Sequence, residues 1–131
     1  MKLTLEQLIQ KRLDLGQQQS KNVEIKALGG ELTIVKIPLD KLVDSIEEMQ
    51  SSDTLQEKFN CFKNMIYQCC PIMHNEKLQA AYECVEPTDI VSKLLDDNMG
   101  DLEKLANTIL DMYGLDADTK EDKSLKNQVK N

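Results

Sequence analysis

The sequence has 131 residues, a length that suits one domain burying about two thirds of the surface of its unfolded chain and that leaves no room for a second full domain. Lys and Arg number 16 against 23 Asp and Glu, for a net charge of −7 at pH 7. That is the wrong sign for a protein that neutralises phosphates, so nucleic acid is a poor partner. The apolar fraction of 40% is enough for a core, yet no apolar run approaches the ~20 residues that cross a bilayer, so a soluble globular chain without a membrane partner is expected.

The N-terminal MKLTLEQLIQ has neither an uninterrupted apolar stretch nor a small-residue cleavage site, which predicts retention in the cytosol. There Cys61, Cys69, Cys70 and Cys84 remain thiols. Thr4 followed three residues later by Gln7 forms a capping box, with Leu3 and Leu8 placed to staple it, and a helix opens at Leu5. Leu5, Leu8, Ile9 and Leu13 lie on one side of that helix, and Gly16 with the polar run from Gln17 to Ser20 ends it. The segment 1–20 thus reads as a loosely tethered amphipathic helix and linker.

Two alternating segments then meet at Gly29-Gly30, predicting a β-hairpin over Val23 to Ile37 with a tight turn at the glycines. Pairing Leu28 with Glu31 sets Ala27 opposite Leu32, Ile25 opposite Ile34 and Val23 opposite Lys36 on one nearly apolar face. A two-stranded ribbon is marginal in water, so this face must lie on helices or against another copy of the chain, and the hairpin is a candidate assembly edge.

Pro38 stops the second strand, and Leu39, Leu42, Val43, Ile46 and Met49 then repeat at helical spacing to about Ser51. Thr54 with Glu57 caps a longer helix whose Leu55, Phe59, Phe62, Met65, Ile66 and Cys69 share a face, and Pro71 ends it. Asn75 caps a short helix that carries Leu78, Ala81 and Tyr82 inward, and Pro87 opens another with the stripe Ile90, Val91, Leu94 and Leu95. After Asn98 and Gly100, a last helix starts beside Asp101 and buries Leu102, Leu105, Ala106, Ile109 and Leu110. Gly114 stops it, and Leu115 sits where a Schellman cap folds an apolar side chain back. The expected fold is α+β and mainly helical: an N-terminal helix and hairpin, then a compact bundle of about five short helices over residues 21–115. Residues 116–131 hold only two large aliphatics and are expected to form a flexible tail. Residues 41–113 carry 6 Lys against 14 Asp or Glu, so the helical body is the acidic part.

Chemistry finds little support. Cys69, Cys70, His74 and Cys84 are metal-ligand types without zinc spacing, and adjacent cysteines diverge on a helix. His74, the sole histidine, is the only imidazole base for a cysteine nucleophile and is expected in a solvated loop. No phosphate loop, dinucleotide turn or nucleophile elbow is present, and Gly29-Gly30 joins strand to strand. Glu47 with Glu48 and Asp96 with Asp97 read as solvated helix neighbours. Asp116 and Asp118 begin like a calcium loop, but Lys120 takes a ligand position and Glu121 the obligatory glycine. No catalytic residue, metal or cofactor is therefore assigned. The informative features are surfaces: Leu5, Leu8, Ile9 and Leu13 of the first helix and Val23, Ile25, Leu32 and Ile34 of the hairpin are the candidate partner-binding residues, with self-association one outcome.

The leader TLEQLIQKRL, the strand exit LTIVKIPLDKL, the stretch MIYQCCPIMHNEKLQAAYECVEPTDIVSKLL and the ending ILDMYG resemble the XkdN-like family of phage tail assembly chaperones over residues 3 to about 115. The resemblance rests on Ile66-Tyr67, Pro71, Leu78, Pro87 to Val91 and Tyr113-Gly114, which are structural signposts rather than reactive groups. It implies a non-catalytic cytoplasmic protein of a bacterial host, absent from the finished particle, that binds the tape measure protein, keeps it soluble and helps bring tail tube subunits to it. It also implies that this chain is the short form where a frameshifted longer one is made. A structural tail-completion or connector subunit would share the small size and hairpin edge, and a small metal-dependent enzyme would need the Cys and His cluster.

Overall fold

A computed structural model describes residues 1–14 and 19–115, the side chains of Leu13 and Asp14 excepted. The order is α1 (Leu5–Asp14), β1 (Ser20–Ile25), β2 (Gly30–Val35), α2 (Leu39–Ser51), α3 (Leu55–Cys69), a 3₁₀ turn (Pro71–His74), α4 (Glu76–Ala81), α5 (Asp89–Leu94) and α6 (Met99–Met112). The α+β, mainly helical architecture read from the sequence is thus the one observed. The tail 116–131 and the calcium-like start at Asp116, Asp118, Lys120 and Glu121 lie outside the described residues.

Helix α3 is the central element. Its Met65, Ile66 and Cys69 are fully enclosed among Leu42 and Ile46 of α2, Ile90, Val91 and Leu94 of α5, and Leu105, Ile109 and Leu110 of α6. The caps form as the sequence dictates. Glu57 N–H donates to Thr54 Oγ1 at 3.1 Å and Leu78 N–H to Asn75 Oδ1 at 3.0 Å. At the end of α6 Gly114 takes φ +77°, Leu115 N–H bonds Leu110 C=O at 2.9 Å and Gly114 N–H bonds Asp111 C=O at 3.0 Å. Those two bonds are the Schellman pair, and Leu115 packs back on the core.

The hairpin departs from the expected register. Ile25 pairs with Gly30 instead of Ile34, and Val23 pairs with Leu32 instead of Lys36. The turn is a four-residue connection, Lys26 to Gly29, with Gly29 at φ +63°. Its cause lies 75 residues away. The Asp101 carboxylate, 3% exposed in the first turn of α6, accepts Lys26 N–H on Oδ1 at 3.1 Å and Ala27 N–H on Oδ2 at 3.0 Å. A two-residue turn would place Lys26 and Ala27 in the strand, where adjacent amides point to opposite sides, so the buried carboxylate could not hold both. The slip is by an even number of residues, so every side chain keeps its face: Val23, Ile25, Leu32 and Ile34 still point inward, while Ala27 is drawn into the turn and exposed.

A second bond pair holds the ribbon's other end. The Tyr113 hydroxyl donates to Ile37 C=O at 2.6 Å and accepts Ile37 N–H at 2.8 Å, with Lys36 Nζ 5.4 Å from the ring centroid. Between the two clamps Lys104 Nζ reaches Glu24 C=O at 2.9 Å. Helix α6 therefore holds the ribbon at tip and base, which lets a two-stranded sheet persist in water.

Other positions differ for local reasons. Leu55 is exposed because the first turn of α3 projects past its neighbours, and Leu39 and Val43 form the outer edge of α2. Helix α4 has only six residues and turns away through Glu83 at φ 55°, so Leu78 alone of its expected stripe reaches the core while Ala81 and Tyr82 stay exposed. Asp96 and Asp97 are not helix neighbours: both adopt left-handed φ, 52° and 55°, in the turn between α5 and α6. Helix α6 begins at Met99, two residues before Asp101, with Asn98 Oδ1 accepting Asp101 N–H at 3.0 Å.

Removing the carboxylate in Asp101→Ala is expected to cost about 3 kcal/mol in urea unfolding, since two part-buried amides lose a charged acceptor. Burial pushes the Tyr113 phenol up to about 12 and the Cys69 thiol up to about 11. Raised acids stabilise the fold while protonated, so this contribution is complete below pH 9 and is lost as pH rises from there through 12. Tyr113→Phe should be about 1–2 kcal/mol less stable than wild type at pH 8, and the gap should narrow above pH 11.

Candidate partner-binding surface

Helix α1 stands apart from the body. Thr4 N–H donates to Gln7 Oε1 at 2.9 Å and Gln7 N–H donates to Thr4 Oγ1 at 3.2 Å, closing the expected capping box. Among the described residues α1 makes no substantial contact with any other element. Leu5, Leu8 and Ile9 are 69%, 52% and 53% exposed and share one face with half-exposed Leu3 beside them. The side chain of Leu13 lies outside the described residues. A ten-residue helix is marginal by itself in water, so its apolar face gains most from a partner.

The other half of the expected surface is already spent. Val23, Ile25, Leu32 and Ile34 are buried in the chain's own core, so they are not free to meet another molecule. Of the two ways to cover the ribbon, helices of the same chain are the one taken.

A second apolar feature escaped the sequence reading. A groove of about 230 Å³ opens where α3, the end of α5 and the start of α6 meet, lined by Phe59, Ser92, Leu95, Asp97, Asn98, Met99 and Leu102. Leu95 and Leu102 are buried and form its floor, Phe59 is half-buried, and Met99 is 37% exposed. Met99 lies about 160° and Leu102 about 100° around α6 from Asp101, so groove and ribbon occupy different sides of that helix. The volume is below the ~300–1,000 Å³ of small-molecule sites and suits apolar side chains. No single segment carries this site: its lining comes from three helices, and only the folded chain brings it together.

The cysteines and the histidine have packing roles. Burial raises the Cys61, Cys69 and Cys70 thiols, so they stay protonated at neutral pH and fill core volume as small apolar groups. Instead of standing free in a loop, His74 stacks on Tyr67 with ring centroids 4.3 Å apart and donates from Nε2 to Tyr67 C=O at 2.6 Å. Among the described residues no three His, Cys, Asp or Glu side chains converge as metal ligands would. Glu47 and Glu48 face solvent on α2. No helix among the described residues is long and apolar enough to cross a membrane.

The model of a family described as phage XkdN-like tail assembly chaperone protein matches residues 2–126. The chain belongs to this family, and its general role is that of a phage tail assembly chaperone. The match extends past residue 115, where the resemblance read from the sequence stopped. No curated protein and no solved structure matches the chain. Because α1 adds nothing to the core, deleting residues 1–14 should leave the circular dichroism of the remainder helical and its Tm within about 2 °C of the full chain. Cooperative unfolding lost on deletion would mean that α1 is part of the folded body.

Proposed function

We propose that the chain covers apolar stripes of the tape measure protein during tail assembly, keeps that long helical client soluble, and yields it to tail tube subunits. It acts in the cytoplasm of the bacterial host, without catalysis, and is left out of the finished particle. The observation that carries this reading is the uncovered row Leu5, Leu8 and Ile9 on a capped helix that the body leaves unpacked. Apolar anchors at spacings of one helical turn suit docking against another helix.

Magnitudes favour many weak contacts. Fully burying one Leu or Ile contributes about 1.5–3 kcal/mol, so three anchors yield about 5–9 kcal/mol gross. Association alone costs an estimated 4–15 kcal/mol, which leaves a single contact weak. Many copies along one client would still hold it, and each could be displaced by a polymerising subunit. The body's 14 acidic residues against 6 Lys over positions 41–113 would keep such a coated complex dispersed through like-charge repulsion.

Co-expression with the tape measure protein tests the reading. The wild-type chain should raise the client's soluble fraction and co-purify with it, while the double substitution Leu5→Glu with Leu8→Glu should lower recovery at least tenfold and leave the chaperone's body cooperatively folded. Equal rescue by the double variant would remove α1 from the mechanism. Mass spectrometry of purified particles should find none of this chain; a stoichiometric amount would make it a structural tail subunit.

A further inference from the structure

The groove between α3, α5 and α6 and the apolar face of α1 are both uncovered in the single chain, and both are flanked by charges of each sign. Around the groove, Asp96 and Asp97 stand exposed at the α5–α6 turn, while Lys63 holds its ammonium 5.5 Å from the ring centroid of Phe59. Helix α1 carries Glu6 in its first turn and Lys11 and Arg12 in its last. Residues 1–14 hold three basic groups and two acidic ones, against the strongly acidic body. Glu6 and Lys11 are separated by about 8 Å along the helix, so one docked helix can meet a cation at one end and carboxylates at the other.

We propose that two copies of this chain exchange their N-terminal helices: Leu5, Leu8 and Ile9 of one copy enter the groove over Leu95, Leu102, Met99 and Phe59 of the other, with Lys11 and Arg12 beside Asp96 and Asp97 and Glu6 toward Lys63. The exchange is reciprocal, so both helices and both grooves are covered by one two-fold arrangement. Each pairing uses a surface that the chain's own core leaves open, and the apolar contacts supply affinity while the two charged ends set the helix direction. The dimer is the resting form of the chaperone, in which the client-binding face is shielded until a client helix displaces it. This regulatory step rests on the proposed client contact; the dimer does not.

Sedimentation and light scattering of the full chain, without client, test it. Wild type should be a dimer that dissociates on dilution and weakens at 0.5 M salt. Leu5→Glu with Leu8→Glu, which alters a helix outside the core, should be monomeric and normally folded. Lys11→Glu with Arg12→Glu should weaken association at least tenfold, as should Asp97→Lys in a separate chain. Mixing those last two variants should restore a one-to-one heterodimer, because the acidic helix then meets the new lysine at position 97 and the basic helix meets Asp96 and Asp97. A monomeric wild type, or a dimer that survives the α1 substitutions, would overturn the exchange. A dimer that forms as described in a chain that fails to solubilise the client would leave the exchange standing and remove the client reading instead.

Discussion

The fold depends on how α6 grips the hairpin. Asp101 near one end of the helix ties down the turn amides of Lys26 and Ala27, and Tyr113 just past the other end ties down Ile37 where the second strand leaves the ribbon. A buried carboxylate needs donors, and two adjacent turn amides supply them in a geometry that a two-residue turn could not offer. Between the clamps the ribbon lays Val23, Ile25, Leu32 and Ile34 onto the core. The same grip therefore fixes the register, closes the sheet's apolar face and completes the hydrophobic interior.

That closure decides which surfaces remain for other molecules. With the ribbon consumed, the accessible apolar features include the unpacked face of α1, the small groove on another side of α6, and isolated edge residues such as Leu39, Val43 and Leu55. Titratable groups point the same way: burial keeps the Cys61, Cys69 and Cys70 thiols protonated, and His74 is engaged with Tyr67. A tail assembly chaperone needs surfaces more than reactive groups, and the molecule is divided accordingly into an acidic, closely packed body and a helix that the body does not use.

Much of this was legible in the residues. Thr4 and Gln7, Thr54 and Glu57, and Gly114 followed by Leu115 mark helix ends because each cap is a local device whose partners sit within a few positions. The stripe of α6 was readable for the same reason, whereas the residues of α1 left open whether it packs on its own domain, on another copy or on a client. What was hidden depends on contacts distant in sequence. Nothing near Asp101 says that its carboxylate is aimed at Lys26 and Ala27, so the turn was placed on the Gly29-Gly30 pair and the register slipped. Nor does any segment announce the groove, which exists only where Phe59, Leu95 and Leu102 converge from three helices. Alternation still gave the ribbon's buried face correctly, because parity survives an even slip.

The central claim is that α1 is a working surface separate from a body held shut by α6. Hydrogen exchange followed by mass spectrometry, on the dilute chain with and without the tape measure protein, addresses it directly. The amides of α1 should exchange quickly in the free chain and become protected in the complex, while those of α3 and α6 stay equally protected in both. Protection of α1 unchanged by the client, or loss of protection in α3 and α6 on binding, would contradict the account.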